Sequence, residues 1–203
     1  TPRALPRLVL NPQVKDILAF RFANGLFEPI WHRNFIEHIQ IDVPEKLTLE
    51  GRAEFYEATG AFKDMVVTHL FQILAFVAME PPTALAPGPI GEEKNKVFRS
   101  MRPLDPRNVV RGQYAGYRDE PGVAPESETE TFVALKAEID NWRWAGVPFY
   151  LRTGKRLGRR VTEIALVFKS APHLPFAETM TAALGQNAMV IRVQPDEGVL
   201  MRF

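Results

Sequence analysis

The stretch TFVALKAEIDNWRWAGVPFYLRTGKRLGRRVTEIALVFK, residues 131–169, decides the fold of this chain. It contains three runs rich in β-branched and aromatic residues, within 131–141, 147–153 and 161–169, and glycine, proline or asparagine bounds each run. Runs of this kind predict strands. No long helical pattern lies between them, so we predict that consecutive strands pair antiparallel rather than through βαβ connections.

The same strand pattern continues on both sides of this stretch. Towards the C-terminus, residues 188–195 and 198–203 predict two more strands, and residues 108–117 contain a short strand upstream. Residues 35–43 alternate as in a half-buried strand, with Ile36 on the same face as the polar residues of that segment. The sheet is therefore predicted to be large and mostly antiparallel.

The N-terminal half predicts helices. Apolar residues recur at helical spacing in 12–24 and again in 51–79, where a break is expected near Gly60 and the proline pair at 81–82 ends the pattern. Residues 81–93 predict a loop, and a short basic helix follows it. Helices first and strands later predict an α+β fold, a large and mostly antiparallel sheet with helices packed on one face.

Composition and charge exclude several classes of function. The chain has 203 residues, 25 of them lysine or arginine and 24 aspartate or glutamate, which gives a net charge of +1. This balance provides no electrostatic argument for a nucleic-acid or membrane partner. The absence of cysteine excludes disulfides and thiolate metal sites and is compatible with a reducing cytoplasm. The longest apolar run is too short and too interrupted to span a bilayer, so we expect a cytoplasmic protein.

His69 is the most conspicuous polar residue of the apolar segment 51–79. Apolar residues would surround a regular helix here, so His69 is expected to be buried or to line a cleft. A core histidine bonded to backbone is the common arrangement, and a general base is the functional alternative. Asp64 lies five residues earlier, about 140° around a regular helix, so the two side chains would border one pocket without stacking.

A second candidate site is the basic segment 150–161, which holds five cations between Arg152 and Arg160 around two glycines. An exposed hairpin turn is the common structure for such a run. The functional alternative is an anion site, in which lysine and arginine side chains converge on a phosphate.

Two kinds of site are not predicted from the residues. His32, His38 and His173 lack metal-ligand spacing, so no metal site is expected. No glycine-rich turn stands between a predicted strand and a predicted helix, so a dinucleotide cofactor would have to bind mainly outside this chain.

Several long segments resemble the larger domain of glucose-6-phosphate dehydrogenase, in its bacterial form more than its animal form. They are RFANGLFEPIW (21–31), GRAEFYEATGAFKDMVVTHLFQILAFVAMEPP (51–82), VRGQYAGY (110–117), TETFVALKAEIDNWRWAGVPFYLRTGKRL (129–157) and VIRVQPDEG (190–198). The resemblance covers about residues 14–203. It implies a sheet similar to that of the C-terminal domain of glyceraldehyde-3-phosphate dehydrogenase, and a homo-oligomer, dimer or tetramer, formed through the sheet.

The resemblance also implies a reaction and a set of site residues. Family members oxidise C1 of glucose 6-phosphate to a lactone in the pentose phosphate pathway and pass the hydride to NADP. His69 would then be the base that takes the C1 hydroxyl proton. The substrate-binding positions of the family fall on Glu45, Asp64, Lys155, Arg160 and Gln194.

Departures from the family pattern limit what the resemblance implies. Residues 1–203 are expected to form a truncated C-terminal substrate, catalytic and dimerisation domain, without the N-terminal dinucleotide-binding domain. Residues 4–12 do not match the family's RIDHYLGKE segment, so we expect the isolated chain to be inactive. Arg152 and Arg192 match ligands of a second NADP in animal enzymes. Other basic ligands of that site fall on Val161 and Ala165, so this second cofactor is not expected to bind.

Two alternatives to this function stay open. One is a non-catalytic binding or assembly paralogue of the same fold, which would be expected to have lost residues such as His69 or Lys155, and both are present. The other is a hexose-6-phosphate dehydrogenase of broader sugar specificity.

Overall fold

The computed structural model describes residues 12–173 and 185–203. Residues 4–11, where the chain departs from the family's RIDHYLGKE segment, lie outside the described residues. Within the described residues seven strands form one sheet in the order β2-β3-β4-β1-β5-β6-β7. The strands are β1 (Ile36–Pro44), β2 (Val109–Gly112), β3 (Phe132–Ala137), β4 (Phe149–Gly154), β5 (Thr162–Phe168), β6 (Ala188–Gln194) and β7 (Gly198–Arg202).

The strand pairing confirms a mostly antiparallel sheet, with one parallel pair formed by β1 and β4. Strand β1 lies between β4 and β5, so these two strands are not hairpin neighbours. The expectation that segment 150–161 forms a hairpin turn is therefore wrong. Instead, the connection between β4 and β5 passes over the C-terminal end of β1.

In the described part of the chain four α-helices pack on one face of the sheet, where their apolar side chains join those of the strands in one core. The helices are α1 (Pro12–Phe22), α2 (Ala53–Ala61), α3 (Phe71–Ala78) and α4 (Pro87–Ser100). Helix α4 begins inside the segment 81–93 that the sequence predicts as a loop. Prolines are tolerated in the first helical turn, because the backbone N–H groups there have no partner within the helix.

Strand β1 departs from strict alternation at its start. Its register with β5 shifts between Ile36 and His38, and Ile36 is buried although the alternation places it on the polar face. The irregularity adds one residue to the strand and returns Ile36 to the core, as a β-bulge does. The predicted faces of Ile36 and Glu37 are therefore wrong, while the strand keeps the expected alternation from His38 onward.

The long apolar helix contains a π-helical segment that the sequence pattern does not indicate. Helix α2 breaks at Gly60, where φ is 63° and ψ is 174°, which confirms the expected interruption. Phe62–Leu70 then form a π-helix, and α3 follows directly. In a π-helix each N–H bonds to the carbonyl five residues earlier, so residues five apart come to lie on one side of the helix.

Buried side chains fix the C-terminal end of α3. The indole of Trp31 donates to the carbonyl of Val77, the indole of Trp144 donates to that of Ala78, both at 2.8 Å, and the guanidinium of Arg21 donates to the carbonyls of Phe76 and Val77. Burial lowers the pKa of Arg21 to about 10, against the opposing effect of Glu28. The last carbonyls of a helix need such external donors, so α3 is held firmly at this end.

The helical stretch Ala53–Ala78, which includes the break at Gly60, has 26 residues and is long and apolar enough to cross a membrane by length and composition alone. The expectation that the longest apolar run is too short is therefore wrong. Within the fold, the residues of α3 from Ile73 to Ala78 are buried in the core. A core helix and a membrane-spanning helix share the same apolar pattern.

Candidate active site

Glu45 and Lys155 lie together at one edge of the sheet. Glu45 follows the last residue of β1 and Lys155 follows the last residue of β4, and the parallel pairing of these strands brings their ends side by side. The Lys155 ammonium donates to the Glu45 carboxylate at 2.9 Å, and the Lys155 side chain is only 3% exposed. An ammonium has three N–H groups, so this one keeps donors for a ligand.

Backbone hydrogen bonds hold the basic connection against the segment that follows β1. The N–H of Arg156 donates to the carbonyl of Leu47 at 2.9 Å, and the N–H of Leu157 donates to that of Glu45 at 2.8 Å. Arg156 adopts a positive φ of 54° to make this turn. The connection is therefore a fixed wall of the site.

The five cations of this segment do not lie together in this chain, so the alternative in which all of them converge on one phosphate has no support here. Three of them have partners in different directions: Arg152 with Asp42, Arg156 with the carbonyl of Ala115, and Arg159 with Glu163. Arg160 is exposed, and Lys155 alone is buried beside Glu45. Only Arg152 lies in a strand, and the other four cations follow the turns of the connection between β4 and β5, which directs their side chains to different parts of the surface.

Asp64 and His69 both lie in the π-helical segment. Their five-residue spacing places them on one side of it, one turn apart, and the expected separation of 140° is wrong because it assumes a regular helix. His69 is exposed in this chain, so the expectation that it is buried is wrong, and the alternative that it lines a cleft stays a prediction. Only Val66 and Leu70 of the segment are buried, so its other side is open to a ligand or a neighbouring part of the protein.

Glu130 and Thr131 connect the π-helical segment to Lys155. The backbone carbonyl of Glu130 accepts from Ala61, and its side chain accepts from the N–H of Phe62 at 3.0 Å. The carbonyl of Thr131 accepts from the N–H of Lys155 at 2.9 Å. The start of the segment that carries Asp64 is therefore tied to the strand end that carries Lys155.

Tyr56 completes this cluster and was not found from the sequence. It is 1% exposed, and the Lys155 ammonium lies 5.3 Å from its ring centroid. Burial raises the pKa of Tyr56, and the carboxylates of Asp64 and Glu45 raise it further. The phenol therefore lies within electrostatic range of both predicted sugar-binding carboxylates. A tyrosine on the apolar side of a helix gives no signal beyond core packing.

Two further predicted residues lie near this edge without a described contact to Lys155. Gln194 ends β6, and its amide donates to the hydroxyl of Thr162 at 3.2 Å, where β5 begins. Since β5 runs antiparallel to β1, the start of β5 and the end of β1 share one edge. Arg160 lies in the connection between β4 and β5, which passes over the end of β1.

The described residues do not fit a dinucleotide cofactor. The connection from β1 to α2 contains a single glycine, Gly51, rather than a glycine-rich turn that opens a helix. Arg152 and Arg192, which match ligands of a second NADP in animal enzymes, are paired with Asp42 and Glu163. Within residues 12–173 and 185–203, no group of three histidine or acidic side chains is placed to hold a metal ion.

The structure is an α+β domain in which the buried Lys155–Glu45 ion pair lies at the ends of two paired strands. Glu130 and Thr131 tie these strand ends to the π-helical segment that carries Asp64 and His69. A family model described as "Glucose-6-phosphate dehydrogenase, C-terminal domain" matches residues 18–203. The chain therefore belongs to the family of glucose-6-phosphate dehydrogenase C-terminal domains.

Relatives agree with this assignment. The chain is 56% identical to glucose-6-phosphate 1-dehydrogenase 2 of Mycobacterium tuberculosis over 94% of its length, which is 39% of the relative. It is 48% identical to glucose-6-phosphate 1-dehydrogenase of Aggregatibacter actinomycetemcomitans, again over 94% of its length and 40% of the relative. The chain thus spans about two fifths of the length of these bacterial relatives.

Solved structures show the same fold. Glucose-6-phosphate 1-dehydrogenase from Mycobacterium avium superposes with a TM-score of 0.88 at 44% identity, over 94% of this chain and 42% of that one. A glucose-6-phosphate dehydrogenase in complex with its substrate glucose 6-phosphate superposes with a TM-score of 0.86 at 31% identity, over 94% of this chain and 40% of that one.

Proposed function

We propose that residues 1–203 are the C-terminal substrate and catalytic domain of an oxidoreductase that oxidises glucose 6-phosphate at C1 to 6-phosphogluconolactone. The full-length protein would use NADP as hydride acceptor in the pentose phosphate pathway. NADP would bind to parts of the protein outside this chain, since the described residues do not fit it. The grouping of Glu45 and Lys155 at one sheet edge, tied to the segment with Asp64 and His69, carries the proposal.

The residues of the site divide the work between binding and proton transfer. Glu45 and Asp64 would accept hydrogen bonds from sugar hydroxyls, and the spare N–H groups of Lys155 would bind oxygen atoms of the substrate. His69 would take the proton of the C1 hydroxyl as C1 is oxidised, since an imidazole can act as a base near neutral pH. Its exposure leaves it accessible to a bound sugar. We assign Arg160 and Gln194 to the rim of this substrate site.

Turnover by the full-length protein tests the proposal. We expect NADP reduction with glucose 6-phosphate and a much lower kcat/KM with galactose 6-phosphate, measured by absorbance of the reduced cofactor. Equal rates on both sugars would favour a hexose-6-phosphate dehydrogenase of broader specificity. No turnover of either sugar, with NADP or NAD, would favour a binding or assembly paralogue.

We expect residues 1–203 alone to show no turnover of glucose 6-phosphate with NADP. The described residues contain no glycine-rich turn between a strand and a helix of the kind that binds a dinucleotide hydride acceptor, and a positioned base contributes only about 10²–10⁴-fold to a rate. The measurement is the same absorbance assay on the purified 203-residue chain, with the full-length protein as positive control. Turnover within tenfold of that control would show that the chain binds the cofactor itself.

We propose that the full-length protein is a cytoplasmic homo-oligomer assembled through the face of the sheet opposite the helices. Tyr150, Gln40, Ala165, Val190 and Leu200 lie in register across this face, where Tyr150 is 43% and Leu200 51% exposed. Exposed Tyr150 and Leu200, with partly exposed Ala165 and Val190 between them, give this face an apolar row that supports it as a partner surface.

A further inference from the structure

The Lys155 ammonium has an unusual environment for a charge. Its side chain is 3% exposed, and among the described residues its one carboxylate partner is Glu45, at 2.9 Å. A buried charge needs compensation from its surroundings, and a single ion pair seldom repays the loss of water from both groups. A further contact must therefore help to keep this ammonium charged and in place.

The ring of Tyr56 provides that contact. The ammonium lies 5.3 Å from the ring centroid, within the range of a cation–π interaction. Tyr56 itself is 1% exposed and fixed in α2, so the ring has little freedom to move. The negative face of an aromatic ring attracts a cation more strongly where water is excluded.

The hydroxyl of Tyr56 does not explain why an aromatic residue stands here. Within the described part of the chain, this buried oxygen has no hydrogen-bond partner. An unpartnered buried hydroxyl lowers the stability of the fold rather than raising it. The useful part of the side chain is therefore the ring.

We propose that Tyr56 is a positioning residue for substrate binding, whose ring holds the Lys155 ammonium in the pocket with its free N–H groups directed at the phosphorylated sugar. The inference rests on the proposed function, because it requires that Lys155 binds substrate. Without the ring, the ammonium loses the aromatic face 5.3 Å away, and its position depends on the ion pair with Glu45 alone. Substrate binding then weakens while the proton transfer at His69 is unaffected.

The experiment compares three variants of the full-length protein in steady-state kinetics with glucose 6-phosphate. Tyr56→Leu removes the ring, and we expect KM to rise about 3- to 30-fold with kcat within about twofold, the effect of losing a desolvated cation–π contact. Tyr56→Met is a second ring-free variant with a flexible side chain that refills the space. Tyr56→Phe keeps the ring and should restore the low KM, with a higher melting temperature because the unpartnered hydroxyl is gone.

Two controls separate this effect from others. Phe76 in α3 and Lys94 in α4 form a second cation–π pair, with the Lys94 ammonium 4.4 Å from the ring centroid of Phe76. Phe76→Leu removes this ring and should lower the stability of the fold without raising KM. Lys155→Met tests the proposed function directly and should raise KM at least as much as Tyr56→Leu. An unchanged KM in Lys155→Met would overturn the assignment of Lys155 to substrate, and the role of Tyr56 with it.

The remaining outcomes test whether the ring of Tyr56 positions the Lys155 ammonium. If Lys155→Met raises KM and both ring-free variants leave it unchanged, the ring does not position the ammonium. If Tyr56→Phe raises KM as much as Tyr56→Leu, the hydroxyl carries the effect and the inference is wrong. The inference is supported if KM is raised in Tyr56→Leu and Tyr56→Met and is unchanged in Tyr56→Phe.

Discussion

Replacement of His69 by asparagine in the full-length protein is expected to lower kcat by about 10²–10⁴-fold, with KM changed by less than about threefold. Asparagine retains hydrogen-bonding capacity at this position but cannot accept and hold a proton as imidazole does. An interaction used only as the C1 hydroxyl loses its proton affects kcat and not ground-state binding. The exposure of His69 means that the change should leave the stability of the fold nearly unaltered.

His173→Asn is the matched control for this measurement, because His173 is also exposed but lies in the segment after β5, outside the cluster around Lys155. We expect its kcat to equal that of the unmodified protein. Initial rates at saturating glucose 6-phosphate and NADP give kcat for both variants, and melting temperatures show whether each is folded. A His69→Asn protein with kcat within a few-fold of the unmodified protein would contradict its assignment as the base.

The elements of the fold were predictable where local pattern decides them, and the sheet order was not. Alternating residues in β1 and β5 indicate strands, because each strand has one buried face. Alternation contains no information about which strand lies next to which. The insertion of β1 between β4 and β5 is a long-range pairing, and it converts an expected hairpin into the connection that packs over Glu45.

The family resemblance predicts a set of site residues, whereas their geometry could not be predicted from the sequence. Glu45 and Lys155 are 110 positions apart and meet because β1 and β4 pair in parallel. Asp64 and His69 share a side because the segment is a π-helix, a form that the usual helical period does not describe. Tyr56 was not predicted, because its proposed role depends on the Lys155 ammonium that lies over its ring, and this contact is between residues distant in sequence.

Gly60→Ala is expected to lower the free energy of unfolding by about 3 kcal/mol and to disturb the segment that carries Asp64. The backbone at Gly60, with φ 63° and ψ 174°, is in a region that is essentially restricted to glycine, and forcing another residue into it costs about 1–3 kcal/mol. An added Cβ would also lie 2.7 Å from the Glu130 carboxylate oxygen that accepts from the N–H of Phe62.

Alanine substitutions at Gly146 and Gly91, and a double variant at Gly60 and Glu130, separate backbone strain from the steric contact with Glu130. Gly146 has a φ of 87° with nothing within 4 Å of an added Cβ, so Gly146→Ala shows the effect of backbone strain alone. Gly91 lies inside α4 in open space, and Gly91→Ala should stabilise the fold by about 0.5–1 kcal/mol. The comparison uses urea unfolding of the full-length protein carrying each change.

The contact with Glu130 predicts that the effects of Gly60→Ala and Glu130→Ala are not additive. Glu130→Ala alone loses the hydrogen bond to Phe62, which leaves a donor at the start of the π-helical segment without its partner and costs about 1–3 kcal/mol. Once that carboxylate is absent, the alanine at position 60 has nothing to displace, so the double variant should be less destabilised than the sum of the two single variants. Strict additivity, or a loss in Gly60→Ala no larger than in Gly146→Ala, would show that an alanine at position 60 does not displace the Glu130 carboxylate. The coupling matters for function because the same carboxylate fixes where the helix carrying Asp64 and His69 begins.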